Sequence, residues 1–449
     1  MTTVAVPRAS LAAVKLGSRP FARIREDLAP DAWPRLEQAC EEGRALLAGR
    51  AVWSINSTAH GGGVAEMQRT LGPYWRAAGV DARWLVLNAP PTFFRFTKRL
   101  HNLLHGRDLA RPGLRDRELF DRVGQAAAAD AAALVAPGDV VVLHDPQTAA
   151  LAAPLRRAGA RVVWRCHVGA DAMTAPVEAA WRFLLPYVEH ADAFVFTRRE
   201  FVPAALPAER VRLLSPAIDP RSEKNRPLVP GAARFLLDRW ALAPVGPADR
   251  LVVALGRWDH LKDPVGILRA FARHVEDPRA FLVLAGPEVG VVADDPEGAR
   301  VLAEARAVWR GLAPHRRKRV QIAALPMTDL VENALIVNAL QREAAVVVKK
   351  SLQEGFGLGV TEGMWKAKPV IATRVGGHRD QIELGRSGLL VDDPADLSGI
   401  AAAVDELLAD PVLGLELGAA GRERVRARYL ADRHFVSWME VLRRLDLRT

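Results

Sequence analysis

The sequence contains few cysteines and no long apolar run. Its 449 residues include two cysteines, Cys40 and Cys166, which is too few for the disulfide framework of a small secreted protein. No stretch approaches the roughly 18 uncharged apolar residues of a membrane-spanning helix. The apolar residues within positions 1–23 are interrupted by proline, arginine and lysine, a pattern unlike a secretory signal. The sequence therefore predicts a protein of the reducing cytoplasm without a membrane span.

Motifs for metal ligation and for covalent catalysis are also missing. The chain has no Cys-x-x-Cys, His-Glu-x-x-His or paired Cys/His spacing of the kind that holds zinc. It has no Gly-x-Ser-x-Gly nucleophile elbow either. We therefore predict no metal site and no bound cofactor.

The charge is basic but spread thinly along the chain. Sixty-two Lys and Arg residues stand against 52 Asp and Glu, a formal net charge of +10. Such a balance can indicate nucleic acid, an anionic membrane or a phosphate-bearing small molecule as partner. The chain has short basic pairs such as Lys349-Lys350 but no long basic tract or nucleic-acid-binding motif. Nucleic acid is therefore not predicted as a partner, and charge alone does not define the function.

Short β-branched apolar runs alternate with helical stretches along the whole chain. Near-continuous apolar strands separated by helices predict parallel sheets covered on both faces, and two such sets predict two doubly wound α/β domains. The predicted strands of the first half cover residues 51–56, 82–87, 139–144, 161–167, 193–197 and 211–217. Those of the second half cover 251–256, 281–286, 320–325, 344–349, 369–373 and 388–391.

The segment 216–247 is rich in proline and charge, as expected of a linker. We place the boundary near residues 225–245, which predicts domains at 1–225 and 226–425. Residues 426–449 are expected to form a C-terminal helix packing back toward the first domain. The helical pattern itself extends over 419–447, with Trp438, Val441 and Leu442 on one apolar stripe.

In open α/β sheets, ligands bind beyond the carboxyl ends of the strands. In the first half, Gly61, Gly62 and Gly63 follow the strand at 51–56 and open a helix. Their backbone N–H groups could approach an anion, although a tight turn needing positive φ would explain the glycines equally well. His167 ends the strand at 161–167. A lone histidine there is more often structural than catalytic.

The second half carries a denser pattern. The strand at 344–349 leads into a glycine-rich turn in which seven residues separate Glu354 from Glu362. The turn can cradle phosphate or sugar hydroxyls, and a carboxylate early in the next helix suits the two vicinal hydroxyls of a ribose. Arg257 and Lys262 follow the strand at 251–256, where two cations could neutralise a diphosphate leaving group. Together these residues favour a functional site.

These motifs resemble those of the retaining GT-B glycosyltransferases of glycosyltransferase family 4. The run from Glu354 to Glu362 resembles the family's E-x7-E motif, and Arg257 with Lys262 resembles its phosphate-binding pair. The loop at 61–63 resembles its N-terminal glycine loop. Further segments resemble the trehalose glycosyltransferring synthase group within it; they cover residues 56–66, 93–102, 144–147, 164–167, 218–225 and 294–298.

The resemblance implies the α/β GT-B fold, with two doubly wound Rossmann-like domains facing a central cleft. Residues 1–225 would form the acceptor side and residues 226–425 would bind the nucleotide sugar. The implied reaction transfers glucose from a nucleoside-diphosphate glucose (UDP-, ADP- or GDP-glucose) to free glucose and gives α,α-trehalose with retention. The implied small-molecule partners are the sugar nucleotide and the sugar acceptor.

The resemblance also assigns roles to residues. Glu362 would bind the ribose, Arg257 and Lys262 the diphosphate, and Glu354 the donor hexose, with His167 near its reacting face. The implied catalytic residues are His167, Glu354, Arg257 and Lys262. The implied donor-binding residues are Gly62, Gly63, Arg257, Lys262, Glu354, Gly355, Phe356, Gly357, Leu358, Gly359 and Glu362. The candidate acceptor-binding residues, which could converge on a small polar acceptor, are Lys98, His101, Asp145 and Gln147.

Two loops depart from the family pattern, at residues 258–262 and 168–173, and leave the donor base and the acceptor open. The physiological direction, and whether the chain is a monomer or a homodimer, also stay open. The nearest alternative is a trehalose phosphorylase, which releases sugar 1-phosphate without a nucleotide. Others are a retaining transferase with another small sugar-like acceptor and a basic nucleic-acid-binding protein on an inactive transferase scaffold.

Overall fold

The computed structural model describes residues 9–242, 246, 249–289, 297–445 and 447. The chain divides into two compact units. Unit 1 contains the described residues up to 216 together with those from 431 onward, and unit 2 contains the described residues between 217 and 430.

Each unit is built on one sheet. The strands of unit 1 are β1 (Ser10–Val14), β2 (Ala51–Asn56), β3 (Asp81–Asn88), β4 (Val140–His144), β5 (Arg161–Cys166), β6 (Ala193–Phe196) and β7 (Val211–Leu213). The strands of unit 2 are β8 (Arg250–Leu255), β9 (Ala280–Pro287), β10 (Val320–Leu325), β11 (Val346–Lys349), β12 (Val370–Thr373) and β13 (Leu389–Val391).

Helices connect the strands. The first group, in unit 1, comprises α1 (Ala32–Leu46), α2 (Gly63–Ala77), α3 (Pro91–Leu104), α4 (Leu114–Ala132), α5 (Asp145–Thr148), α6 (Ala152–Arg157) and α7 (Ala175–Val188). Unit 2 carries α8 (Ala232–Arg239), α9 (Pro264–His274), α10 (Gly298–Arg310), α11 (Pro314–Arg317), α12 (Leu330–Glu343), α13 (Leu358–Trp365), α14 (His378–Gln381), α15 (Leu397–Ala409) and α16 (Pro411–Arg428), and unit 1 ends with α17 (Ala431–Arg443). Short 3-10 helices cover Phe21–Asp27, Ala149–Leu151, Arg199–Phe201, Ala208–Arg210 and His260–Lys262.

Both sheets are doubly wound, as the sequence predicted. Their strand orders are β1-β3-β2-β4-β5-β6-β7 and β10-β9-β8-β11-β12-β13. In unit 1 the chain leaves β2 toward β3 on one side and later continues from β4 on the other. In unit 2 it likewise leaves β8 toward β9 and returns at β11. The switch points of the two sheets therefore lie between β2 and β4 and between β8 and β11, where open α/β sheets bind ligands.

The sequence analysis missed β1, an edge strand that pairs antiparallel with β3. Its five residues are only partly buried or exposed, because an edge strand covered incompletely carries no strong apolar alternation. The central strands are different. Ile55 stands opposite Leu85 and Leu143 in the register of the sheet, and all three are fully buried, so their apolar runs were easy to recognise.

The helix predicted over 419–447 is in fact two helices. The carbonyl of Tyr429 accepts a hydrogen bond from the Ile218 N–H at 2.9 Å, and Leu430 forms a β-bridge with Ile218. These pairings hold the two residues between α16 and α17 outside helical geometry. Trp438 and Leu442 are buried as the apolar stripe predicted, and α17 packs against α1 and α2 within unit 1.

The units divide between residues 216 and 217, at the start of the segment 216–247 expected as a linker and before the boundary predicted near residues 225–245. Residues directly after this division already belong to unit 2, because the Asn338 side-chain amide donates to the carbonyls of Glu223 and Arg226 at 2.9 Å each. The following helix α8 packs on α12. Positions 243–245 and 247 of the expected linker lie outside the described residues. Within the described parts of the chain, no helix is both long and apolar enough to cross a bilayer.

Candidate active site

The unit 2 site forms where the loops after β8 and β11 meet at the switch point. The N–H of Leu352 donates to the carbonyl of Leu261 at 2.7 Å. Lys350, which is buried, forms an ion pair with Asp263. One backbone hydrogen bond and one partly buried ion pair therefore hold together two loops that are about 90 residues apart in sequence.

The same two loops bring Lys262 and Glu354 together as an ion pair. Glu354 is buried, and its carboxylate also accepts from the Ser351 hydroxyl at 3.2 Å. Burial would raise the pKa of Glu354, but the charge of Lys262 and the neighbouring His378 outweigh it and lower the pKa to about 2. Glu354 is therefore a carboxylate at every physiological pH. Two of the predicted residues thus lie in one cluster.

His378 belongs to this cluster, although nothing in the sequence pattern singled it out. Its Nδ1 donates to the carbonyl of Thr373 at 3.0 Å, and its Nε2 lies 3.8 Å from Glu354 Oε2. Burial lowers the pKa of His378 to about 4, against the opposing effect of the Glu354 charge. The ring is therefore neutral near pH 7, with its proton on Nδ1 because that nitrogen faces a carbonyl.

Four cationic side chains line one cavity of about 320 Å³ beside β8 and β11: Arg257, Lys262, Lys349 and Lys350. The Nη2 atom of Arg257 lies 3.9 Å from Oδ2 of Asp259. Lys349 donates to the carbonyl of Leu255, and burial together with the charge of Lys262 lowers its pKa to about 8. The predicted phosphate-binding pair is therefore joined by two lysines that the sequence analysis did not assign to the site. The positive charge of these four side chains suits an anionic ligand.

Glu362 is the fifth of the eight residues of α13. It is 5 % exposed, and its carboxylate lies 3.5 Å from Lys224 Nζ and accepts from the Gln341 amide at 3.4 Å. Burial would raise its pKa, but Lys224 and the nearby Lys366 lower it. Glu362 is thus a buried, charged acceptor that two side chains hold in place, and neither of those two was among the predicted site residues.

The glycine turn before α13 depends on backbone conformations that other residues disfavour. Gly357 has φ +91°, and a Cβ at Gly376 would overlap the carbonyl oxygen of Glu354. The helix begins at Leu358, so the N–H groups of Leu358 and Gly359 are among those that the helix itself leaves unpaired. The Phe356 side chain, by contrast, is buried 5.5 Å from the ring of Tyr429. Only its backbone can serve a ligand.

The unit 1 site forms at the switch point between β2 and β4. Gly61 and Gly62 have φ values of +73° and +77° and lead directly into α2. The turn therefore requires glycine at 61 and 62, and Gly62 and Gly63 lie at the N-terminus of α2. The roles predicted for their N–H groups stay predictions.

His144 ends β4, His167 directly follows the neighbouring strand β5, and the two form a pair. His144 Nδ1 lies 3.0 Å from His167 Nε2, with the rings nearly parallel. His144 Nε2 lies 3.2 Å from the Gln68 amide nitrogen. Because that amide can only donate, His144 Nε2 must accept, and its proton lies on Nδ1 and points to His167. Gln68 and His144 thus fix the tautomer of His167, whose remaining proton lies on Nδ1.

Burial keeps both rings neutral. It lowers the pKa of His144 to about 3, assisted by the charge of Arg165, and lowers the pKa of His167 well below the usual range. The unit 1 site is therefore an uncharged hydrogen-bonding pair at pH 7.

The four candidate acceptor residues lie on two helices that pack together, α3 and α5. Lys98 and His101 are on α3, and Lys98 is buried. Asp145 has φ +62°, and its carboxylate accepts from the backbone N–H of His167 at 2.7 Å. Within the described residues, the side-chain oxygen of Gln147 is buried without a hydrogen-bond partner. The structure therefore places Asp145 beside His167, while contact of these four residues with an acceptor stays a prediction.

In the part of the chain that the structure describes, no group of three or more His, Cys, Asp or Glu side chains is arranged to hold a metal ion.

Comparisons with known proteins identify the family. Residues 54–203 match the family described as "Trehalose synthase, N-terminal domain", and residues 244–424 match "Glycosyl transferases group 1". A trehalose synthase from Rubrobacter xylanophilus is 36 % identical over 86 % of this chain and 88 % of its own length. A trehalose phosphorylase from Grifola frondosa is 30 % identical, but the match covers 56 % of that protein. The UDP-forming α,α-trehalose-phosphate synthase of Burkholderia xenovorans, solved with glucose-6-phosphate, superposes with a TM-score of 0.68 over 88 % of this chain and all of its own, at 17 % identity.

The two doubly wound sheets, the family match and the superposition therefore define a glycosyltransferase of the GT-B fold, as the sequence predicted. The chain belongs to the trehalose synthase family and is a trehalose-related glycosyltransferase. Of the segments on which the resemblance was based, positions 294–296 lie outside the described residues.

Proposed function

We propose that the protein transfers glucose from a nucleoside-diphosphate glucose to free glucose and makes α,α-trehalose with retention of the donor's configuration. The observation that carries the proposal is that unit 2 contains both a cluster of cations and a buried carboxylate. Four cations line one cavity, and the buried carboxylate of Glu362 lies on the helix that follows the glycine turn. A nucleoside diphosphate presents both matching groups, an anionic diphosphate and a pair of ribose hydroxyls.

Arg257 and Lys262 are assigned to the diphosphate. In the reaction, the bond between the glucose C1 and the diphosphate oxygen breaks, and a bond from C1 to the acceptor oxygen forms on the same face. The acceptor proton passes to the departing diphosphate. Negative charge grows on that group as the bond breaks, so cations held in place before the reaction stabilise the transition state more than the ground state.

Glu354 is assigned to the donor hexose. Its low pKa keeps it ionised and acceptor-only, which suits hexose hydroxyl groups as donors. The backbone N–H groups of Gly355, Phe356 and Gly357 are proposed to serve the same sugar. Lys262 then has two tasks, because it also neutralises Glu354.

His167 is assigned to the reacting sugar face. The uncharged pair that it forms with His144 suits a neutral polar acceptor such as glucose, since it supplies directed hydrogen bonds without a net charge. Lys98, His101, Asp145 and Gln147 remain the proposed acceptor-binding residues.

Trehalose phosphorolysis is the second candidate, because a trehalose phosphorylase is also among the relatives. A cationic cavity would accept inorganic phosphate as well as a diphosphate. One observation favours the synthase: the match covers 88 % of the synthase but only 56 % of the phosphorylase.

The test uses purified protein with UDP-, ADP- or GDP-glucose and ¹³C-labelled glucose, followed by the anomeric proton spectrum of the product. We expect α,α-trehalose and a nucleoside diphosphate in equal amounts. A product with a β anomeric centre would overturn retention. Glucose 1-phosphate formed from trehalose and phosphate without nucleotide would establish the phosphorylase instead. If the protein glycosylates another sugar but not free glucose, the assignment of the donor site remains valid and the proposed product, trehalose, is wrong.

A further inference from the structure

Unit 1 contains a second cavity, on the sheet face covered by α2 and α17. Its volume is about 510 Å³, and neither the proposed donor site nor the proposed acceptor residues line it. Its apolar lining includes Val52, Met67, Leu71, Trp75, Val142 and Trp438. Its polar lining comprises Ser54, Gln68, Arg83, His144, Arg165 and His434.

Arg165 is the unusual member of this lining. It is 1 % exposed, and its guanidinium makes one long hydrogen bond, to the carbonyl of Leu214 at 3.5 Å, and lies 5.2 Å from the ring of Trp438. No carboxylate of the described residues lies within ion-pair distance of it. Burial lowers its pKa to about 9, opposed by the more distant Asp145, so the group is still protonated at neutral pH. A guanidinium carries five N–H donors, and here nearly all of them lack a protein acceptor.

His434 supplies a second donor without a partner. Its Nε2 accepts from the indole N–H of Trp438 at 3.3 Å, so the proton of the neutral ring must be on Nδ1. That nitrogen is buried and has no hydrogen-bond partner among the described residues. Burial, with the charges of Arg165 and His144, lowers the pKa of His434 well below its usual range, so the ring adds a donor to the cavity but no charge.

The cavity therefore contains a buried cation whose one protein acceptor, the carbonyl of Leu214, lies at 3.5 Å, and a buried N–H donor that has no acceptor among the described residues. Leaving a buried charge unpaired costs several kcal/mol, and a bound counterion would remove that cost. The other cation of the lining, Arg83, already pairs with Asp81 at 2.6 Å. One uncompensated positive charge within mostly apolar walls matches an anion of charge −1, whereas phosphate or sulfate would bring excess negative charge into a poorly solvated space.

We infer that this cavity binds one small monovalent anion of the halide or nitrate class, between the guanidinium of Arg165 and Nδ1–H of His434. The inference does not rest on the proposed function, because Arg165 and His434 are assigned neither to the donor nor to the acceptor, although His144, the partner of His167, also lines the cavity.

The direct test is crystallographic. Crystals of the full chain are soaked in sodium bromide and measured at the bromine absorption edge. We expect an anomalous peak within hydrogen-bond distance of the Arg165 guanidinium and His434 Nδ1. Water alone in the cavity, with bromide confined to the protein surface, would overturn the inference. This measurement needs no variant and does not depend on how a mutant folds.

A solution test uses the melting temperature at constant ionic strength, with sodium chloride, bromide or nitrate replacing sodium gluconate. A ligand that binds only the folded state raises Tm with its concentration, by about 3–5 °C for each tenfold excess over Kd in a unit of this size. Arg165→Met should abolish the anion-specific rise. The matched control is Arg198→Met, which removes another buried arginine of unit 1, one that pairs with Glu200 at 3.1 Å. The Arg198→Met protein should still show the anion-specific increase in Tm. Equal Tm in all four salts, or a rise that persists in Arg165→Met, would contradict the inference.

Discussion

The two units bury polar groups in opposite ways. In unit 2 the buried charges are paired: Glu354 with Lys262, Glu362 with Lys224, and Lys350 with Asp263. In unit 1 the buried titratable groups around the switch point are mainly histidines that burial keeps neutral.

The difference follows from the kind of ligand each arrangement can hold. A charged ligand must be met by fixed charges, and these tolerate burial only when opposite charges surround them. A neutral polar ligand needs directed donors and acceptors, and neutral histidines provide them without a counterion. On this reasoning unit 2 is the side for the sugar nucleotide and unit 1 the side for an uncharged sugar, as proposed.

The largest effect that separates the two units is expected in acid. Unfolded histidines have a pKa near 6.5, whereas the pKa of His144 is about 3 and those of His167 and His434 are also strongly lowered. Unfolded unit 1 thus binds up to three more protons than folded unit 1, and its stability falls as pH drops from 6.5 toward 3. The slope should approach 4 kcal/mol per pH unit.

Unit 2 should keep its stability to a lower pH than unit 1. Its one strongly shifted histidine is His378, and the stability contributed by Glu354 is present above pH 4.5 and lost only as pH falls through about 2. Hydrogen exchange by mass spectrometry at pH 7, 5.5 and 4.5 should show unit 1 amides losing protection first. His144→Gln should reduce the slope by about a third. Earlier loss of protection in unit 2 would contradict the comparison.

Arg257→Ala should lower turnover by about 10²–10³-fold, the effect of removing one group that stabilises charge in the transition state. Its effect on Tm should be small, because Arg257 is partly exposed and lies 3.9 Å from Asp259. The control is Arg234→Ala, which removes an exposed arginine of α8 that pairs with Asp238. This variant should change neither turnover nor Tm. Unchanged kcat in Arg257→Ala would remove it from the diphosphate site.

Lys262→Ala sharpens this result. Turnover should fall in the same range, but Tm should fall as well, because the buried Glu354 loses its counterion. A Lys262→Ala protein as stable as the wild type would show that Glu354 does not need the pair.

Glu362→Gln should weaken binding of the nucleotide sugar by about 10–100-fold, since a hydrogen bond to a charged group contributes about 1.5–3 kcal/mol. The change keeps the size of the side chain, so the fold should survive. Calorimetric titration of the nucleotide measures the loss, with Glu383→Gln, the partner of Arg424 at the surface, as control. Unchanged nucleotide affinity would remove Glu362 from the ribose site.

The smallest effect is expected from chelation. Because Arg257 and Lys262 are assigned to the diphosphate charge, turnover should change less than twofold when EDTA is added. Complete loss that a divalent cation restores would show that the two side chains do not suffice.

Much of the fold was predictable because buried parallel strands are continuous apolar runs, as at Val320–Leu325, whose bounds were predicted correctly. The edge strand β1 was not, because a partly covered strand needs no such run. The break between α16 and α17 was missed because it depends on the bridge from Leu430 to Ile218, more than 200 residues away. A contact between residues so far apart in the chain cannot be predicted from local sequence patterns.

The sequence by itself determined the two doubly wound sheets, the strand ends that carry Arg257, Glu354 and His167, and the family. It could do so because strand periodicity and short motifs are local along the chain. Only the tertiary structure decided which charges meet. The Lys262–Glu354 pair, the link from Gln68 through His144 to His167, and the unpaired Arg165 all depend on residues brought together by sheet order. Their pKa values follow from burial and neighbouring charge, which exist only once the chain has folded.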